Sequence, residues 1–252
     1  MRLTVVGCSG SYPGPDSAAS CYLVEEDDAS GRAWRILLDL GSGALGALQR
    51  YADPLAVDAV FLSHLHPDHC MDLCGYHVLR RYHPAGPQPR IPVHGPAGTA
   101  DRMAAAYGLE PQPGMTEEFD FHDLGEPVEV GPLTVTPMPV VHPVPAFGFQ
   151  VEAGGRSLAY SGDTGPGPEL DAVARNVDLL LAEASFLSED VNPPAMHLTG
   201  ADCGRAAATG AVGRLVLTHV PPWHDPEVAV AEARARFDGD ILLASPGATY
   251  LV

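Results

Sequence analysis

The chain alternates short apolar runs with polar clusters, and the period changes from element to element. In the first half, Leu3–Val6, Cys21–Glu25 and Ile36–Asp39 are β-rich runs bounded by Gly, Ser and Pro, which predict strands. Gly43–Tyr51 has helical spacing, Asp58–Leu62 is a buried-type strand that stops at Ser63, and Asp72–Arg81 predicts a helix. Ile91–His94 follows as a strand and Thr99–Tyr107 as a helix. In the second half, Val128–Val130, Leu133–Met138, Phe147–Val151 and Ser157–Tyr160 predict strands. Helices over Glu169–Arg175, Thr199–Gly210 and Pro226–Phe237 then alternate with strands over Asp178–Leu181, Leu215–Thr218 and Ile241–Ala244. Two β-rich sheets covered by helices satisfy this order, because each sheet must bury its apolar faces. Asp39, His64, Asp163, Glu183 and His219 each follow an apolar run. Strand ends are where α/β architectures place their sites.

Composition narrows the picture. At 252 residues the chain is long enough for one large domain or two small ones. No repeat or low-complexity linker divides it, and the 25 Pro and 27 Gly are spread throughout, so residues 1–252 read as a single domain. The formal net charge of −18 argues against a long polyanion such as nucleic acid. It leaves open a small anionic substrate drawn to a cationic site. All 14 basic residues are Arg, and the absence of Lys excludes Schiff-base, Ser–Lys and P-loop chemistry. The five cysteines, Cys8, Cys21, Cys70, Cys74 and Cys203, form no disulfide framework and read as reduced thiols. No stretch approaches the length of a membrane span, and the N-terminal apolar run is too short for a signal peptide. A cytoplasmic protein without membrane contact is expected.

The chemistry concentrates in Ser63-His64-Leu65-His66-Pro67-Asp68-His69. In an extended chain residues i and i+2 point the same way, so His64 and His66 can share one metal ion. Asp68 and His69, past the turn, can serve a second. Imidazole and carboxylate suit Zn²⁺, with Mn²⁺ and Fe as further candidates. His142, Asp163 and His219 each bring another ligand-type residue to the end of an apolar run.

The order His-x-His-x-Asp-His, then His, then Asp, then His resembles the metallo-β-lactamase superfamily along nearly the whole chain. The resemblance implies an α/β (α+β) fold, an αββα sandwich of two mixed sheets flanked by helices. It implies two divalent ions, one on His64, His66 and His142, the other on Asp68, His69 and His219, with Asp163 bridging and a hydroxide between the metals as nucleophile. Lactamases commonly carry Cys where Asp163 stands; a carboxylate there suits a di-metal phosphodiesterase or esterase. Met196-His197-Leu198-Thr199-Gly200 resembles the His-x-Thr motif of the tRNA 3′-processing branch, RNase Z. Carried over, His197 becomes the general acid and Asp68 its orienter. RNase Z enzymes hold a long tRNA-gripping insertion between the residues matching His142 and Asp163, which here are only 21 residues apart.

An arm-less chain of this kind is similar to bacterial cyclic-nucleotide phosphodiesterases of the same fold. The segments that carry this likeness are Gly7–Ser11, Gly43–Arg50, Arg80–Pro84 and Leu217–Trp223. The implied reaction is hydrolysis of 3′,5′-cyclic AMP to 5′-AMP. A nuclease on short RNA or DNA ends, a carboxylic ester, thioester or lactone hydrolase, and a metal-binding sensor without turnover are the alternatives. Arg80 and Arg81, a basic patch in an acidic chain, are candidate contacts to a nucleotide, with surface charge or a subunit contact as the other reading. Asp39 is expected to brace the metal loop, and Glu183 to do the same. His77, His83, His94, His122 and His224 lack ligand spacing. Dimers are common in this fold, so a homodimer is a further expectation.

Overall fold

The structure is a computed structural model that describes Met1–Val252. The first half contributes β1 (Arg2–Ser9), β2 (Ala18–Ala19), β3 (Cys21–Asp27), β4 (Ala33–Leu38), α1 (Ala44–Leu48), β5 (Ala59–Phe61), α2 (Pro67–Cys70), α3 (Leu73–Arg81), β6 (Ile91–Gly95), α4 (Thr99–Tyr107) and β7 (Phe119–Asp123). The second contributes β8 (Val128–Val130), β9 (Leu133–Val140), β10 (Ala146–Ala153), β11 (Arg156–Tyr160), α5 (Pro168–Val173), β12 (Leu179–Glu183), α6 (Gly200–Gly210), β13 (Arg214–Thr218), α7 (Pro226–Arg234), β14 (Asp240–Leu243) and β15 (Thr249–Leu251). One sheet runs β15-β1-β3-β4-β5-β6-β7, with β2 beside β1, and the other runs β14-β13-β12-β11-β10-β9-β8. Both mix parallel and antiparallel pairs.

The strands are apolar on both faces because both faces are covered. In β4, Ile36 and Leu38 join the core between the sheets while Leu37 faces outward under the helices. In the second sheet Leu181 and Val216 point inward, whereas Leu180, Ala182, Leu215 and Leu217 meet α5, α6 and α7. The expected αββα sandwich of two mixed sheets is therefore the observed fold. Small residues allow the outer layer to close. A Cβ on Gly200 would lie 2.0 Å from the Ala229 carbonyl oxygen, so α6 and α7 approach through backbone. A capping box of Thr199 and Asp202 fixes the start of α6.

Besides the two-residue β2, three elements go beyond the sequence reading. Strands β7 and β15 occupy the two edges of the first sheet. Helix α2 is a single turn started by Pro67, inside what reads from sequence as a plain turn.

The architecture matters most at one edge. β4–β5 and β11–β12–β13 are parallel neighbours, so within each group the C-terminal ends lie together. Asp39, His64, Asp163, Glu183 and His219 emerge from those ends or just beyond them.

Candidate metal centre

Two groups of ligand atoms converge at this edge. His64, His66 and His142 form one, and Asp68, His69, Asp163 and His219 the other, the ligand atoms within each lying within 4.8 Å of one another. Asp163 stands between them. Its Oδ2 is 3.8 Å from His64 Nε2, and its Oδ1 is 3.3 Å from His69 Nε2 and 3.6 Å from His219 Nε2. All seven residues named from sequence are thus gathered in one place.

Local backbone brings them there. His66 caps α2 in an extended conformation, and the helical turn then places Asp68 and His69 on its far side. Gly41 permits this turn to sit close, since a Cβ there would lie 1.9 Å from the Asp68 carbonyl oxygen. Asp39 and His219 hold φ values of 61° and 55°. For residues other than Gly this left-handed conformation is costly and persists where surrounding bonds impose it.

Those bonds are visible. Asp39, fully buried, accepts from Ser63 N (2.6 Å), Ser63 Oγ (2.8 Å), Tyr160 Oη (2.8 Å) and His69 Nδ1 (2.7 Å). Tyr160 belongs to the second sheet, so Asp39 also ties the two sheets together. A carboxylate and a carbonyl only accept, so His69 Nδ1 must carry a proton toward Asp39, and His142 Nδ1 one toward Met196 O at 2.9 Å. Their Nε2 atoms are then free to ligate. His219 Nδ1 lies 2.8 Å from Ser185 Oγ, and His64 Nδ1 3.1 Å from Ser63 Oγ. Each of these imidazoles has an outer partner that sets its orientation.

The electrostatics fit divalent cations. Burial and neighbouring imidazoles hold His64 well below its usual range; burial likewise lowers His66 and His142. All three favour the neutral, ligating form. Burial opposes ionisation of Asp68 and Asp163, but their histidine neighbours outweigh it and keep both carboxylates charged. His69, held up by Asp163 and Asp39 against its burial, retains a proton that a cation between it and Asp163 would displace. The clearest sign is Asp163 Oδ1, which is buried and has no hydrogen-bond partner. An unpaired buried carboxylate oxygen facing two imidazole nitrogens is able to take a cation as its partner. The donor set, imidazole with carboxylate, suits two ions of the zinc type.

His197 stands beside the centre. Its Nδ1 donates to Glu183 Oε1 at 2.8 Å and lies 3.7 Å from Asp163 Oδ2, and its ring packs against Phe186. Burial would lower its pKa, but the charge and hydrogen bond of Glu183, with Asp163, outweigh this and raise it to about 9. The orienting residue is therefore Glu183 and not Asp68, whose Oδ2 lies 3.2 Å from His219 Nε2 instead. Glu183 is itself fixed by Thr164 N and Ser185 N, each at 3.1 Å.

Arg80 and Arg81 stand in the last turn of α3 and belong to neither group of ligand atoms. Arg80 is buried, donating to Pro89 O and to Tyr76 Oη (3.4 Å), while Arg81 pairs with Glu117 and with Glu118 (2.8 Å). Arg80 thus packs inside the fold and Arg81 is engaged by two glutamates, contacts that account for both residues without a substrate. Sequence reading also missed Ser63, Tyr160, Ser185 and Met196, whose roles rest on orientation. All five cysteines are free, as expected.

We expect Asp39→Asn to weaken metal binding by about 10- to 100-fold, because it disturbs the His69 tautomer without removing a ligand. Competition with a chromogenic chelator measures this, and unchanged affinity would remove Asp39 from the metal loop's support.

Comparison with known proteins agrees with this geometry. The protein Rv1339 of Mycobacterium tuberculosis is 46% identical over 247 residues, covering 96% of this chain and 88% of that protein. The probable metallo-hydrolase YhfI of Bacillus subtilis is 27% identical over 249 residues, 98% of either chain. The YhfI crystal structure, a metallo-β-lactamase fold protein, superposes with a TM-score of 0.85 at 25% identity, over 99% of this chain and 98% of YhfI. The short form of human tRNase Z shares the fold, with a TM-score of 0.76 at 21% identity over 100% and 99% of the two chains. The β-lactamase superfamily domain matches residues 34–220. That span runs from β4 to just beyond His219 and includes every clustered ligand, and the chain accordingly belongs to the β-lactamase superfamily of metallo-hydrolases.

Proposed function

We propose that the protein is a binuclear metal-dependent phosphodiesterase that opens a 3′,5′-cyclic nucleotide, cyclic AMP foremost, to the 5′-monophosphate. Two divalent ions, one on His64, His66 and His142 and the other on Asp68, His69 and His219 with Asp163 between, would polarise phosphoryl oxygens and make hydroxide available near neutral pH.

The observation that carries the reading is the Glu183–His197 pair beside Asp163. A sugar alkoxide leaves poorly and needs a proton in the transition state. His197 is equipped to give one. Glu183 engages Nδ1, which aims Nε2 away from Glu183, and the carboxylate favours the charged imidazolium. The departing 3′ oxygen would take the proton from Nε2, and Glu183 would hold the ring in place as it becomes neutral. A site serving only activated acyl groups has less need of such an acid.

The overall charge of −18 and the short β9–β11 region favour a small substrate over a tRNA. Between His142 and Asp163 the chain builds only strands β10 and β11 with a tight turn. The direct test is incubation of zinc- or manganese-loaded protein with cyclic AMP and chromatography of the products. We expect 5′-AMP from the wild type and none after chelation. A protein shown to hold two metals that leaves cyclic AMP intact would overturn the substrate assignment and favour oligonucleotide ends or carboxylic esters.

A further inference from the structure

Among the exposed aromatic side chains, two stand together beside the segment that carries a candidate ligand. Tyr12 and Trp223 are 47% and 59% exposed, yet they pack on each other with ring centroids 5.6 Å apart and planes inclined by 31°. About half of each residue's surface stays open to solvent, so both rings remain able to take a further contact.

The position of the pair suggests which contact. Trp223 lies four residues beyond His219, on the loop that leaves β13. Tyr12 lies on the loop that leaves β1. The two loops are locked together at the ligand itself: Ser9 pairs with Val220 as an isolated β-bridge, and Gly10 N donates to Val220 O at 3.2 Å. A Cβ on Gly10 would lie 2.3 Å from the His219 carbonyl oxygen, so the Tyr12 loop rests directly on that residue's backbone. Ser9 Oγ donates to Tyr12 O at 2.7 Å and fixes the tip. Between the same loops lies a cleft of about 290 Å³, lined in part by Ser9, Thr218, Val220, Pro222 and His224. Thr218 and Val220 flank His219 in sequence. The aromatic pair therefore rides on two segments braced against a metal ligand.

We infer that Tyr12 and Trp223 form the base-binding subsite, on which the purine of a nucleotide stacks while its phosphate lies at the metal centre. This rests on the nucleotide reading of the metal centre. Stacking on aromatic faces needs no cation, and the chain offers none here: neither loop, Ser9–Ser17 or His219–Asp225, carries an Arg or Lys. Recognition by π-surface and apolar contact is what remains. Tyr12 and Trp223 are accordingly specificity-determining residues that bind the base and do not touch the reacting phosphorus.

The chain has two tryptophans, and Trp34 is held by Asp28 and covered by Arg32, so Trp34→Phe leaves Trp223 as a single reporter. In metal-loaded Trp34→Phe protein, we expect AMP to quench tryptophan emission saturably, and ribose 5-phosphate, which lacks the base, to leave it unchanged. In Trp223→Ala, the KM for cyclic AMP is expected to rise about tenfold or more with kcat little changed, and Tyr12→Ala to do the same more weakly. Inhibition of bis(p-nitrophenyl) phosphate hydrolysis by both AMP and ribose 5-phosphate, equally in wild type and Trp223→Ala and without quenching, would overturn the subsite while leaving the phosphoester site intact. Quenching by AMP in a protein that does not hydrolyse cyclic AMP would uphold the subsite and refute the proposed reaction. A dimer that becomes monomeric in Trp223→Ala with unchanged KM would assign the pair to a subunit contact and overturn the inference.

Discussion

Asp163→Asn is expected to lose most bound metal and at least about a thousandfold in turnover while keeping its fold. Asparagine preserves volume, so the packing under Asp163 is undisturbed. The change is electrostatic. Asp163 is 2% exposed, and its Oδ1 has no hydrogen-bond donor, although a buried carboxylate oxygen ordinarily requires one. Imidazole nitrogens of His69 and His219 face it, at 3.3 and 3.6 Å. A neutral amide supplies neither the charge nor two equivalent oxygens to groups on both sides, and its NH₂ would meet ligand nitrogens. The metal-loaded wild type should therefore show a higher Tm than the chelated protein, by mass action on the folded state. In Asp163→Asn most of that difference should vanish, with the two chelated proteins melting alike. Metal content by elemental analysis, together with the two melting curves, decides the matter. A variant that retains two ions and wild-type turnover would remove Asp163 from the centre.

The cluster of candidate ligands was legible in the sequence because its information is local. His64, His66, Asp68 and His69 fall within six consecutive positions, where extended geometry pairs His64 with His66 and the turn at Pro67 sets Asp68 and His69 apart. His142, Asp163 and His219 were found by their places after apolar runs, since strand ends are visible in a hydrophobic pattern. Orientation was not legible. Whether His197 meets Asp68 or Glu183 depends on Phe186, which packs on its ring, and on Thr164 and Ser185, which fix Glu183, and none of these is adjacent to it in the chain. Arg80 and Arg81 were ambiguous for a similar reason. A basic dipeptide in an acidic chain looks unpaired until the fold brings Glu117 and Glu118 beside it. A local signal did exist, as Tyr76 and Arg80 lie one helical turn apart and interact. Strand β7 was also readable: Phe119, Asp120, Phe121 and His122 alternate apolar and polar, as an edge strand with one open face should. Strand β15 has three residues, too few for a period to show.

His197→Gln is expected to keep both metals and lose about 10²- to 10⁴-fold in kcat with cyclic AMP, the range usual for a general acid. The two halves of this result have separate causes. His197 Nδ1 is committed to Glu183, and His64, His69, His142 and His219 each have an outer partner other than His197, so their orientation does not depend on that ring. The rate does, because an alkoxide must be protonated as it leaves. The leaving group therefore provides the control. A p-nitrophenolate departs without help, so bis(p-nitrophenyl) phosphate should be hydrolysed at nearly the wild-type rate by the same variant. Glu183→Gln should fall between the two. It keeps an acceptor for His197 Nδ1 but loses the charge that favours imidazolium, and we expect about a tenfold loss with cyclic AMP and little with the activated diester. Equal losses on both substrates would show that His197 supports the centre as a whole, and loss of metal would make it a ligand. Only a loss confined to the poor leaving group assigns the proton to His197, and that dependence separates a phosphodiesterase from an acyl hydrolase built on the same seven ligands.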